Sequence, residues 1–153
     1  MILYRCGLKK WIKDFSGKGA SIHGGRWNSP GQFMVYAAEN NVLAALEVAM
    51  RIPLESICAD YLMIPLQIPG SVRVYKPKLP ERWNHQVEIT RLIGDQFIKS
   101  GKYLLMKVPS ALISDSFNYL INPVHPDATR IKFQEPRSIL FDKRLMEMIR
   151  TKS

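Results

Sequence analysis

Within NVLAALEVAMR (41–51), Glu47 interrupts an otherwise apolar stripe. Leu43, Leu46 and Met50 recur at i, i+3 and i+7, and Glu47 lies four residues after Leu43 and three before Met50, so a helix here aims a carboxylate inward. Leaving that charge buried and unpaired costs several kcal/mol, enough to make it recruit a cation or take up a proton. The position demands a partner. Two readings are open: a buried ion pair with an arginine such as Arg26 or Arg51, or a functional carboxylate.

HGGRWN (23–28) sets Arg26 behind two glycines, which lets the backbone approach a ligand while the guanidinium forks onto phosphate oxygens. A glycine turn followed by a surface arginine is the plainer alternative. Tyr36 lies in the run leading into the Glu47 helix, so its ring can share a cavity with that carboxylate, although most strand tyrosines are core or interface residues. VPSALISDSFNYLINPVHP (108–126) packs Ser110, Asn118, Asn122 and His125 among three prolines, the polar density of a shaped loop. His125, before Pro126, suits a turn as readily as a ligand or acid. No serine sits in a GxSxG elbow, which sets hydrolase triads aside. The glycines of residues 16–25 do not form GxGxxG, and no convincing set of metal ligands is present.

These groups need elements to hold them. Residues 2–6 read as a first strand, and the Gly- and Lys-rich SGKGASIHGG (16–25) as a long loop. QFMVYAA (32–38) has strand composition, Asn40 or Asn41 caps the helix that follows, and Pro53 closes it. ADYLMIPLQI (59–68) and SVRVYKP (71–77) read as a pair of strands across Pro69 and Gly70. The spacing of Val87, Leu92, Ile93 and Phe97 predicts a helix from about Trp83 to Lys99, stopped by Gly101. KYLLMKVP (102–109), FNYLI (117–121) and RSILF (137–141) supply further strands, and DKRLMEMIR (142–150) a terminal helix. The expected class is α+β, with more strand than helix.

A chain of 153 residues, 46% hydrophobic and 23% charged, is expected to form one ordinary globular domain. No stretch approaches the roughly 20 apolar residues that span a bilayer, and the N-terminus lacks a leader pattern. Cys6 and Cys58 stand alone and are expected to be buried, reduced thiols, which places the protein in the cytoplasm. The formal charge of +9 is uneven. Residues 1–26 carry six basic side chains against Asp14, residues 130–153 carry seven against Glu135, Asp142 and Glu147, and the middle is neutral. An anionic small ligand, an acidic protein partner, a nucleic-acid surface or merely solvated basic faces all fit that distribution.

GGRWN, MVYAAE, LAALE, VPS, NYLINPVHP and the closing FDKRL, in this order, resemble the motif series of the RES domain, from LYR at 3–5 to RL at 144–145. The resemblance implies a single RES domain over residues 1–153 with an ADP-ribosyltransferase-like fold of mixed β-sheets and flanking helices. It implies a toxin of a toxin–antitoxin pair that depletes NAD by cleaving the nicotinamide–ribose bond, through hydrolysis or phosphorolysis. NAD is then a substrate, with phosphate as the co-substrate of phosphorolysis, and neither a cofactor nor a metal is expected. The family's arginine, tyrosine, glutamate and serine fall on Arg26, Tyr36, Glu47 and Ser110; Ser114 and Ser116 are nearby, but neither follows Val-Pro. Trp27, Asn118, Asn122 and His125 match the family's site wall. Gln96-Phe97 departs from the pattern, where many members carry tryptophan after the Gly-Asp pair. An Xre-like helix-turn-helix antitoxin is the implied partner, covering the pocket around Glu47 and linking the protein to nucleic acid only indirectly. Protein ADP-ribosylation and a basic nucleic-acid-binding module are the competing expectations.

Overall fold

The computed structural model describes residues 1–52 and 60–150, so Pro53 and Cys58 lie outside the described residues. In chain order the elements are β1 (Ile2–Leu8), α1 (Lys18–His23), β2 (Val35–Ala38), α2 (Asn41–Ala49), β3 (Tyr61–Gln67), β4 (Val74–Tyr75), α3 (Val87–Ser100), β5 (Leu105–Pro109), β6 (Phe117–Ile121), β7 (Lys132–Phe133), β8 (Arg137–Ile139) and α4 (Lys143–Arg150). The strands form one sheet in the order β4-β5-β6-β2-β1-β3-β7, with β8 also paired to β3. Every pairing is antiparallel except β4 with β5. The class is α+β.

Strand periodicity divides the core into two faces. Val35 and Ala37 of β2, Leu105 of β5, and Tyr119 and Ile121 of β6 join Leu3, Ile64 and Leu66 on one side. Met106, Val108 and Leu120 point the other way and pack with Trp27, Met34 and Phe97 beneath α3. Pro65, which has no N–H for a ladder, falls in the gap where β8 ends at Met63 and β7 begins at Leu66.

Asn40 caps α2 as its residue type predicts: its Oδ1 accepts from the Leu43 N–H at 2.8 Å. Gly101, at φ 58°, ends α3. Three expectations change. Residues 16–25 are not a continuous loop, because α1 forms between Gly17 and Gly24, whose φ values of 75° and 72° put the loop-forming composition at the two ends of a short helix. SVRVYKP does not pair with β3; the β3 edge is taken by β7 and β8, and only Val74–Tyr75 is strand, parallel to β5 on the far side of the sheet. Met50 is 48% exposed, because it is the C-cap of α2, and the buried side of that helix is Leu43, Ala44 and Ala49. Among the described residues, no helix is long and apolar enough to cross a membrane.

Candidate active site

Register and pleat assemble the site. β2 pairs with β6 so that Tyr36 faces Leu120 and Ala38 faces Asn118, and β6 pairs with β5 so that Asn118 faces Val108. Tyr36, Asn118, Val108 and the following Ser110 therefore share one face, since side chains alternate along a strand. Across this face α2 lays Glu47. Its Oε1 accepts from Asn118 Nδ2 at 2.6 Å and from Ser110 Oγ at 3.3 Å. Its Oε2 lies 3.6 Å from the Arg51 guanidinium one turn on. Two donors on one oxygen fix the orientation of the carboxylate.

The ion-pair reading of Glu47 is met in part. Arg51 is its cation, but the pair is not sealed: the guanidinium side chain is 61% exposed and the carboxylate 22%. Exposed pairs of this kind contribute about 0–1 kcal/mol, so this one is easily exchanged for another cation. A cleft of about 670 Å³ opens beside Glu47, within the size range of small-molecule sites. Arg5 and Lys18 give it a cationic wall. A smaller cleft of about 160 Å³ lies alongside, and the two share Tyr36, Glu47, Arg51 and Asn118. Among the described residues, no group of three His, Cys, Asp or Glu side chains is placed to hold a metal.

Tyr36 is held from below. Its hydroxyl donates to Asn28 Oδ1 at 2.7 Å and accepts from the Trp27 N–H at 3.2 Å. Burial pushes its phenol up to about 12, keeping it protonated. Asn28 is wholly buried, and its Nδ2 donates to the Ala20 and Gln32 carbonyls, tying α1 and the following loop to the tyrosine. A Cβ on Gly25 would approach the Tyr36 oxygen to 2.5 Å, so this glycine makes room for the tyrosine itself. The Arg51 guanidinium lies over the ring, its carbon 5.9 Å from the Tyr36 ring centre.

α3 clamps the same loop. Thr90 Oγ1 donates to the Arg26 carbonyl at 2.6 Å, Arg91 Nε to the Gly25 carbonyl at 2.8 Å, and Asp95 Oδ1 accepts from the Ser29 N–H at 2.9 Å. Gly94 permits this contact, because a Cβ there would overlap the Trp27 carbonyl oxygen. Asn28, Thr90, Arg91 and Asp95 escape the sequence reading. For Asn28 the signal was the GGRWN motif itself; the α3 residues look like ordinary polar positions on a helix.

The other expected site residues are placed as follows. Arg26 lines only the smaller cleft, where its guanidinium donates to the Asn84 carbonyl at 2.7 Å and lies 5.9 Å from the Trp83 ring centre. Trp27 is 2% exposed and stacks on Trp83 with ring centres 5.5 Å apart, which makes it chiefly a core residue beside that cleft. Ser110 is buried, and besides Glu47 its Oγ accepts from the Leu112 N–H at 3.1 Å, so it positions the carboxylate. Asn122 and His125 line neither cleft. Asn122 is four residues beyond Asn118, about 13 Å along the strand direction, and its Oδ1 accepts from the Val124 N–H. His125 Nδ1 accepts from the Asp127 N–H and caps the turn that follows. Cys6 lines the larger cleft as a free thiol, pushed up to about 11 by burial.

Residues 2–142 match the family model described as the RES domain. The Prs ADP-ribosylating toxin of Sphingobium sp. (strain YBL2) is 35% identical over 140 residues, covering 87% of each chain. Toxin Res of Pseudomonas putida is 35% identical over 137 residues, covering 88% of this chain and 92% of its own. Among solved structures, a chain of the M. tuberculosis MbcT–MbcA toxin–antitoxin complex superposes with a TM-score of 0.70 over 98% of this chain and 88% of its own, at 16% identity, a likeness of fold. With the family model running from β1 to the residue before α4, and the relatives matching over most of both lengths, the chain belongs to the RES-domain family.

Proposed function

We propose that this protein is the toxin of a toxin–antitoxin pair and that it depletes NAD in the cytoplasm by breaking the nicotinamide–ribose bond. The observation that carries the proposal is the Glu47 carboxylate, fixed by Asn118 and Ser110 at the junction of two clefts and balanced only by an exposed arginine. Loss of nicotinamide leaves an oxocarbenium-like ribose, and a carboxylate held in advance where that positive charge develops stabilises the transition state more than the ground state. Hydrogen bonds to ribose hydroxyls strengthen at the same moment, as in glycosidase chemistry. Tyr36 offers a ring face beside the carboxylate, and the cationic wall of the larger cleft suits a diphosphate. Water or phosphate then takes the ribosyl group.

Incubation of the purified protein with NAD, with and without phosphate, is expected to release free nicotinamide; no release under either condition refutes the proposal. Glu47→Gln preserves an acceptor for Asn118 and removes the charge, so the rate is expected to fall by at least about 10²-fold. A second reading, transfer of ADP-ribose to a protein, is favoured by the name of the Sphingobium relative. It predicts mass shifts on co-incubated cell proteins in place of free ADP-ribose products. The fold shared with a chain of a toxin–antitoxin complex supports an inhibitory partner, and we propose that it covers the Glu47 clefts.

A further inference from the structure

We propose that Arg51 is an internal stand-in for the substrate's cationic ring, occupying the seat between Tyr36 and Glu47 until the substrate displaces it. This rests on the proposed function and adds to it the means by which the site recognises charge on the ring. The seat has two features that suit a flat cation: a ring face and a carboxylate. The Arg51 guanidinium engages both at once, 5.9 Å from the Tyr36 ring centre and 3.6 Å from Glu47 Oε2. A guanidinium is planar, delocalised and weakly hydrated, and so is a pyridinium; each is drawn to an aromatic face and to a carboxylate for the same reasons.

Two further observations make the guanidinium a removable occupant. Its side chain is 61% exposed, so it can swing into solvent without leaving a buried charge behind. It also lines both clefts, so the displaced cation stays within the site and within reach of an anionic group in the larger one. Glu47, by contrast, remains anchored through Oε1 by Asn118 and Ser110 when Arg51 leaves. The seat therefore keeps its shape and its negative charge while changing cations. A ring bearing positive charge restores both lost contacts; a neutral ring of the same shape restores only the stacking. Arg51 thereby acts as a specificity-determining residue.

The test uses two rings without phosphate or a glycosidic bond, 1-methylnicotinamide, which is permanently cationic, and nicotinamide, which is neutral, titrated by NMR into wild type and Arg51→Gln. Removing the competing cation is expected to tighten 1-methylnicotinamide about three- to tenfold, the scale of an exposed cation–π contact together with an exposed ion pair. Nicotinamide, which displaces the same guanidinium, is expected to gain less, because only the cationic ring is also relieved of repulsion by the displaced Arg51. Arg51→Lys, which keeps the charge but loses the flat, weakly hydrated group, is expected to bind 1-methylnicotinamide between wild type and Arg51→Gln. Unchanged or weaker 1-methylnicotinamide binding in Arg51→Gln, or an equal gain for both rings, overturns the assignment. The two proposals fail separately: wild type that releases nicotinamide from NAD but shows one of those outcomes refutes the role of Arg51 alone, whereas wild type that releases none refutes the glycosidic chemistry and this inference with it.

Discussion

Tyr36 joins the Glu47 face of the sheet to the fold through one hydroxyl, so its proton is a structural quantity. A tyrosine in an unfolded chain ionises near 10, whereas burial holds this one up to about 12. The folded state therefore keeps a proton that the unfolded state gives up, and the stabilisation this brings is complete below pH 10 and is lost as pH rises toward 12. Tyr36→Phe removes the bond to Asn28 and is expected to cost about 1–2 kcal/mol near neutral pH. Urea unfolding at pH 8 and again near pH 11 should show the gap between wild type and variant narrowing at the higher pH. A gap of constant size would mean that the phenol keeps no special hold on its proton.

The helix α3 matters to the site less for its core face than for Thr90, Arg91 and Gly94, which grip the GGRWN backbone, and Asp95, which holds the Ser29 that follows it. Gly94 gives this a sign that can be checked. Helix propensity alone makes Gly94→Ala stabilising by about 1 kcal/mol. The overlap of a Cβ with the Trp27 carbonyl instead forces the helix and loop apart, at a cost of about 1–3 kcal/mol or more. The steric effect is expected to win, so thermal unfolding of Gly94→Ala should show a Tm several degrees below wild type. A raised Tm would show that α3 does not rest on Trp27. Ser110 and Asn118 belong to the same scale, since β5 and β6 bring them beneath α2 only when paired in this register.

Over the whole molecule, the positive charge of the first 26 residues reaches the clefts: Arg5 and Lys18 line the larger one and Arg26 the smaller. An inhibitory partner seated there is expected to present acidic groups, and its association rate should fall roughly tenfold or more between 50 and 500 mM salt, as stopped-flow mixing can measure. A rate indifferent to salt would mean that the basic surface plays no part in that association. The sequence by itself determined that a carboxylate interrupts the α2 stripe, that an arginine such as Arg26 or Arg51 could meet it, that Asn40 or Asn41 starts that helix and Gly101 stops α3, and that strands outnumber helices as elements. These follow from spacings of a few residues, where helix and strand periods act directly. It did not determine that residues 18–23 are helical, because glycines at both ends of a short helix have the composition of a loop. Nor did it separate Asn118 from Asn122, which share strand parity and a motif but stand about 13 Å apart along β6. The union of Tyr36, Glu47 and Asn118 around two clefts, with Ser110 buried behind the carboxylate, was decided only by the tertiary structure. Their contacts span up to 71 residues of chain, and at that distance sheet register, which no local pattern encodes, chooses the neighbours.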